Sequence, residues 1–259
     1  MSPLTLGGGG LGIVGIVIVL AVNLLGGGSI DMNSVLEQLQ LPNGVQQQAG
    51  NSQFAGLDDY EKFTSTVLGS TNAAWQEAFT ASSRPYPEPK LVLFRSATQS
   101  ACGISTSQVG PHYCPADSTI YIDETFFDEL QKLGGSKGDV AQAYVIAHEV
   151  GHHVQNVLGT YDKVAQGGTI ANDDSIKLEL QADCFAGIWA HSISNLGIFE
   201  PGEVKEATDA AAAVGDDRIQ QTIQGRVNPE TWTHGSSAQR VNWFNTGYNS
   251  GNPAVCNTF

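Results

Sequence analysis

The chain has 259 residues, a formal net charge of −14 and a hydrophobic fraction of 41%. This length is enough to bury one substantial core, and the apolar fraction is ordinary for a folded domain. The acidic excess would repel nucleic acids and anionic membrane surfaces, so we expect neither as a ligand. The sequence also contains no nucleic-acid-binding motif.

The N-terminal residues 1–28 are predicted to form a single membrane anchor. Residues 7–28 carry no charged side chain and include an apolar run over 11–22, which with its flanks approaches the roughly 20 residues that span a bilayer. A cleaved signal peptide is the alternative, although no basic residue precedes the run and no clear small-x-small cleavage site follows it. We therefore expect a single-pass protein of the cell membrane.

The remaining chain divides by composition into a linker and one folded domain. Residues 29–53 are rich in Gly, Gln, Asn and Leu, which is typical of a linker, and residues 54–259 have the apolar periodicity of a domain. The predicted elements are a helix over 57–80, strands over 91–94 and 118–123, a short helix over 126–133, and further helices over 139–152, 175–189 and 201–214. This order predicts an α+β fold, mostly helical with a small sheet.

The helix predicted over 139–152 ends in the motif His148-Glu149-Val150-Gly151-His152. Positions four apart on a helix are offset by only about 40°, so both imidazoles face one point, where they can hold zinc. Glu149 lies next to the first histidine and can take a proton from a water molecule at the metal. The next histidine, His153, is rotated about 100° from His152 and is predicted to pack instead.

A third ligand is predicted on the helix over 175–189, because a catalytic zinc usually has three protein ligands and one position for water. Glu179 and Asp183 are four residues apart and share one face of that helix. A buried carboxylate is costly unless it is paired or bound to metal. We predict Glu179 as the ligand and Asp183 as the acceptor of a hydrogen bond from a ligand histidine.

These motifs resemble those of known zinc proteases. HExxH at His148 followed by ExxAD at Glu179 is similar to the gluzincin pattern, and Thr-His-x5-Arg at Thr233 resembles an element of the heat-shock membrane protease and CAAX prenyl endopeptidase group. The widest resemblance, over about 54–244, is to a bacterial family of neutral zinc metallopeptidases. That family shares the GPxYCPAD run at Gly110 and the longer HExGHHxQ and ExQADC runs.

The resemblance implies a zincin-like metallopeptidase domain in which a small sheet, including the strand over 118–123, borders the substrate cleft. It implies one zinc ion per chain and zinc-dependent hydrolysis of a peptide or protein substrate, as an endopeptidase. The residues it places at the site are His148, His152 and Glu179 as zinc ligands, Glu149 as general base, His234 beside the substrate carbonyl, and Arg240 as a partner of Asp183, of another acid, or of a surface ion pair.

The four cysteines form an even set in a chain with a membrane-targeting segment, which suits an oxidising, extracytoplasmic compartment. Three pairings are open, and we favour Cys102 with Cys114 and Cys184 with Cys256. Four reduced, buried thiols are the alternative. Two other functions also stay open at this point: a zinc-binding module without catalysis, and a disulfide-linked scaffold without metal.

Overall fold

The computed structural model describes residues 59–107, 109–136, 138–165, 170–194, 196, 199 and 202–259. The anchor predicted over 1–28 and the linker predicted over 29–53 lie outside these residues. Within the described part of the chain, no helix combines the length and the apolar character that crossing a membrane requires.

The described residues are mostly helical and include a small sheet, in agreement with the predicted α+β composition. The elements are α1 (Asp59–Ala81), β1 (Lys90–Phe94), β2 (Ala97–Ser100), β3 (Gly103–Thr106), β4 (His112–Cys114), β5 (Thr119–Asp123), α2 (Phe126–Lys132), α3 (Asp139–Val157), α4 (Thr160–Val164), α5 (Asn172–Ser194), α6 (Glu203–Ala213), α7 (Asp216–Gln224) and α8 (Ser237–Ser250). Short 3-10 turns follow at Pro229–Thr231 and Pro253–Val255.

The main sheet has the strand order β1-β5-β4. β5 pairs in parallel with β1, with Leu91 opposite Ile120, and antiparallel with β4, with Tyr113 opposite the same Ile120. All five residues of β5 are buried. The strand predicted over 118–123 is therefore the central strand of the sheet, because its backbone is paired on both sides. β4 is the edge strand beside α3. A separate hairpin, β2–β3, was not predicted.

Helix α3 forms the centre of the domain, and every side chain from Ala143 to Gln155 is buried. His153 links this helix to the sheet by a hydrogen bond, which agrees with its predicted packing role. Its Nε2 donates to the carbonyl of Pro87 at 2.6 Å, so its Nδ1 accepts from the Tyr113 hydroxyl at 3.0 Å. Burial lowers the pKa of His153, which keeps this imidazole neutral.

Helix α5 approaches its neighbours backbone to backbone, through glycines. A Cβ added at Gly151 of α3 would lie 2.9 Å from the carbonyl oxygen of Ala182 on α5. A Cβ at Gly187 of α5 would lie 2.1 Å from the carbonyl oxygen of Phe244 on α8. Any side chain at these positions would push the helices apart, so the glycines set the distance between the elements that carry the site residues.

Two disulfides join distant parts of the domain, Cys102 to Cys114 and Cys184 to Cys256, which is the pairing favoured from the sequence. The first holds the turn after β2 against the edge strand β4. The second holds the C-terminal tail against α5 and closes a sequence separation of 72 residues. Among the described residues there is no free cysteine.

We expect Gly187→Ala to destabilise the domain by about 1–3 kcal/mol or more, because the added methyl group overlaps the backbone of α8. Gly69→Ala on α1 is the matched control, since a Cβ there meets nothing within 4 Å. That change removes a helical glycine and should stabilise the chain by about 0.5–1 kcal/mol. Chemical denaturation measures both, and equal effects would contradict the proposed close packing.

Candidate metal centre

Three potential ligands from two helices converge at the contact between α3 and α5. One ligand atom from each of His148, His152 and Glu179 lies within 4.8 Å of the others. The His148 Nε2 is 3.2 Å from Glu179 Oε2, and the His152 Nε2 is 3.3 Å from Glu179 Oε1. The structure thus brings together the three residues predicted to bind zinc.

The spacing of these atoms suits zinc. Ligands bound tetrahedrally at about 2.0–2.1 Å from a zinc ion lie about 3.4 Å from one another, close to the two observed nitrogen–oxygen separations. Burial alone would raise the pKa of Glu179, but His152 and His148 lower it well below its usual range, so the carboxylate is ionised. Two imidazoles and one carboxylate form a donor set that zinc accepts, with one position left for water.

Asp183 supports the first histidine, as predicted. Its side chain is fully buried, and its Oδ1 accepts from His148 Nδ1 at 2.8 Å and from the Tyr144 hydroxyl. Arg240 donates to both carboxylate oxygens, through Nε at 2.8 Å and Nη2 at 3.0 Å. Burial acts to raise the pKa of Asp183, but Arg240 and His148 outweigh it and lower that pKa. Asp183 therefore orients His148, and both of its oxygens accept hydrogen bonds from protein donors.

The second histidine has a different partner. His152 Nδ1 lies 2.9 Å from Oε1 of Gln155, one turn along the same helix, and 3.2 Å from the Tyr161 hydroxyl. Both histidines of the motif thus have an oxygen at Nδ1, which leaves Nε2 as the nitrogen available to a metal. Neither Gln155 nor Tyr161 was predicted from the sequence to have this role.

Glu149 lies beside the three ligands on α3. Its side chain is buried, and its Oε2 has no hydrogen-bond partner in the part of the chain that the structure describes. A buried carboxylate oxygen without a partner is costly, so its presence next to a metal-binding set indicates a functional requirement. A water molecule at the free position of the metal would supply the missing partner.

His234 lies in the loop before α8 and is held by Asp216, the first residue of α7. Asp216 Oδ1 is 3.1 Å from His234 Nδ1, and Oδ2 accepts from the backbone nitrogens of Thr233, His234 and Gly235. Partial burial lowers the pKa of His234, but the bond to Asp216 and the charge of Glu179 raise it above its usual 6.5. The side chain is 44% exposed, so this imidazole can meet a ligand from solvent.

Asp216 was not predicted as a site residue from the sequence, because acidic residues are common at the start of a helix. It does begin a helix, but it is also buried and fixes the His234 loop. The two residues are 18 positions apart, and no local spacing connects them. The one sequence signal was the Thr-His-x5-Arg motif at Thr233, which would have suggested that His234 has an acidic partner elsewhere in the chain.

Comparison with known proteins agrees with this site. A family model described as "Putative neutral zinc metallopeptidase" matches residues 2–259. The chain belongs to this family. The family description matches the donor set observed between α3 and α5, and it implies zinc as the metal.

Two uncharacterized bacterial proteins are similar to this chain over most of its length. "Uncharacterized protein YpfJ" of Escherichia coli K12 is 46% identical over 250 residues, covering 95% of this chain and 86% of that protein. "Uncharacterized protein Rv2575" of Mycobacterium tuberculosis H37Rv is 45% identical over 201 residues, covering 73% and 67%. No solved structure matches the chain at a significant level.

We expect Arg240→Leu to reduce the free energy of unfolding by about 3–5 kcal/mol, because it leaves the buried charge of Asp183 without its strongest partner. Lys205→Leu is the control, since Lys205 pairs with Asp209 at the surface and is 74% exposed. That pair should contribute less than about 1 kcal/mol. Denaturant titration distinguishes the two; a small effect of Arg240→Leu would show that the Asp183 charge is not paired as described.

Proposed function

We propose that the chain is a zinc-dependent peptidase, acting as an endopeptidase, with a zincin-like catalytic domain. The observation that carries the proposal is a buried Glu149 oxygen that has no partner among the described residues and lies beside the His148, His152 and Glu179 donor set. A purely structural zinc site is usually closed by four protein ligands and needs no base. The family description and the chemistry of the site support this function, whereas the printed names of the relatives assign none.

The proposed reaction is hydrolysis of a peptide bond by water. A zinc ion in such a site supplies Lewis-acid polarisation and lowers the pKa of water to about 7. The Glu149 carboxylate accepts the proton of the attacking water and later passes it to the leaving amine nitrogen. His148, His152 and Glu179 are held in place by α3 and α5, so the reacting groups meet in a fixed geometry.

His234 is the proposed donor to the substrate carbonyl. Negative charge develops on that oxygen as water attacks, and an imidazolium within hydrogen-bond reach stabilises it. Asp216 supports this role in two ways: it orients the ring through Nδ1, and it favours the protonated form. The loop from Thr233 to Gly235 is held by three backbone hydrogen bonds to the same carboxylate.

We also propose that the domain acts outside the cytoplasm and is attached to the cell membrane by residues 1–28. The apolar run over 11–22 supports the anchor. The two disulfides, Cys102–Cys114 and Cys184–Cys256, support an oxidising compartment. The proposed partner is therefore a peptide or protein in that compartment.

Glu149→Gln should retain zinc and lower the rate of peptide cleavage by about 100- to 10,000-fold, because the amide keeps the shape of the side chain but cannot accept the proton. The measurement combines metal analysis of the purified chain with cleavage of a peptide library, with and without a chelator. Glu77→Gln, on the exposed face of α1, is the control and should leave both unchanged.

Two results would contradict the proposal in different ways. Cleavage that persists in Glu149→Gln with zinc bound would remove Glu149 from the base role. A chain that binds zinc stoichiometrically but cleaves no peptide would instead be the non-catalytic zinc module that the sequence leaves open.

We expect Asp216→Asn to move the alkaline limb of the kcat/KM profile to lower pH. The donor form of His234 is the protonated one, which is present below its pKa and lost as pH rises through it. Asp216 raises that pKa, so removing its charge lowers the pH at which the donor is lost. Asp209→Asn, on the surface of α6, is the control. An unchanged alkaline limb in Asp216→Asn would exclude His234 as the titrating donor.

A further inference from the structure

The amide of Gln155 occupies a fully buried position between a zinc ligand and helix α5. Its Nε2 donates to the carbonyl oxygen of Leu178 at 2.7 Å. A carbonyl can only accept a hydrogen bond, so this contact fixes which end of the amide is nitrogen. Oε1 must then face His152 Nδ1, at 2.9 Å, and can only accept a hydrogen bond from its N–H group. The amide therefore selects the tautomer of His152 whose Nε2 is free.

Gln181 extends these hydrogen bonds to Cys256 in the C-terminal tail. Its Nε2 donates to the carbonyl oxygen of Cys256 at 2.7 Å, so its Oε1 is free to accept from Gln155 Nε2 at 3.2 Å. Cys256 is linked by a disulfide to Cys184, one turn further along α5 than Gln181. The network runs from a backbone carbonyl in the C-terminal tail through two amides to the imidazole of His152.

The two histidines of the site therefore differ in the partners that hold their Nδ1 atoms. His148 is held by the charged Asp183, which Arg240 also binds through two nitrogens. His152 has only neutral partners at Nδ1 among the described residues, namely Gln155 and the Tyr161 hydroxyl. The orientation of His152 thus depends on how firmly the amides are held.

We propose that Gln155 is the positioning residue for His152, and that Gln181 and the disulfide-held tail at Cys256 keep the Gln155 amide in place. The proposal rests on the zinc site proposed above. It adds that Gln155 determines how tightly that site binds zinc. Partners of this kind fix the ring orientation of a ligand histidine, and their loss typically weakens metal binding by about 10- to 100-fold. The C-terminal tail then contributes to the metal site by holding Gln181 and, through it, Gln155, although none of the residues of the tail binds the metal.

The test measures the zinc dissociation constant of the full chain by competition with a chromophoric chelator. Gln155→Leu, which removes the acceptor, should weaken zinc binding by about 10- to 100-fold. Gln155→Glu keeps an oxygen acceptor for His152 but loses the donor to the Leu178 carbonyl, so it should weaken zinc binding less than Gln155→Leu does. Gln181→Leu and the double variant Cys184→Ser/Cys256→Ser should weaken zinc binding to a smaller extent than Gln155→Leu, because Gln155 itself remains.

Two matched controls separate positioning from general loss of stability. Asn72→Leu removes a buried amide that accepts from the Tyr86 hydroxyl on the α1 side of the domain. Cys102→Ser/Cys114→Ser removes the other disulfide, which no described hydrogen bond connects to a zinc ligand. Both are expected to lower the melting temperature and to leave the zinc dissociation constant of the folded chain unchanged.

A spectroscopic readout reports the tautomer directly. Nitrogen-15 NMR of the zinc-loaded chain should show a protonated, hydrogen-bonded Nδ1 at His152, and this signal should be lost or shifted in Gln155→Leu and retained in Gln155→Glu. Zinc binding by Gln155→Leu as tight as that of the parent chain would overturn the positioning role and leave the zinc site intact. A parent chain that binds no zinc would overturn the proposed function together with this inference.

Discussion

The buried carboxylate of Asp183 is the interaction on which the rest of the site depends. It lies on α5, accepts hydrogen bonds from Tyr144 and His148 on α3, and pairs with Arg240 on α8. An unpaired charge in this position would cost several kcal/mol, so the three helices are constrained to the one arrangement that satisfies it. The same arrangement turns His148 so that its Nε2 faces Glu179. The charge network thus specifies the site as well as the fold.

Close packing of the helices fixes the distances between these site residues. Gly151 lies within the zinc motif itself and allows the backbone of α3 to touch α5 at Ala182, midway between Glu179 and the Cys184 disulfide. A carboxylate on one helix can meet two imidazoles on another only when the axes are this near. On its other face α5 meets α8 in the same way, through Gly187. Ligand geometry is therefore fixed by backbone contact and not by the adjustment of long side chains.

The proposed catalytic groups differ in how strongly the fold holds them. Glu149 and the ligands stand on buried helices, whereas His234 stands on a loop that is open to solvent and tied down by Asp216. Rigid ligands beside a loop that is open to solvent are expected of a peptidase, because the metal must stay fixed while a substrate enters. The C-terminal tail adds a further restraint, since its carbonyl at Cys256 ends the amide network that reaches His152.

The sequence by itself determined the features that depend on local spacing. Residues four apart share a helix face, so the pairs His148 with His152 and Glu179 with Asp183 could be assigned before any tertiary contact was known. The mostly helical α+β composition followed from periodicity in the same way. Tertiary structure alone decided the partnership of Asp216 with His234, the central position of β5, and the network from Gln155 to Cys256. These contacts join positions far apart in the chain, or depend on which atom of an amide faces which neighbour, and neither leaves a periodic signal in the sequence.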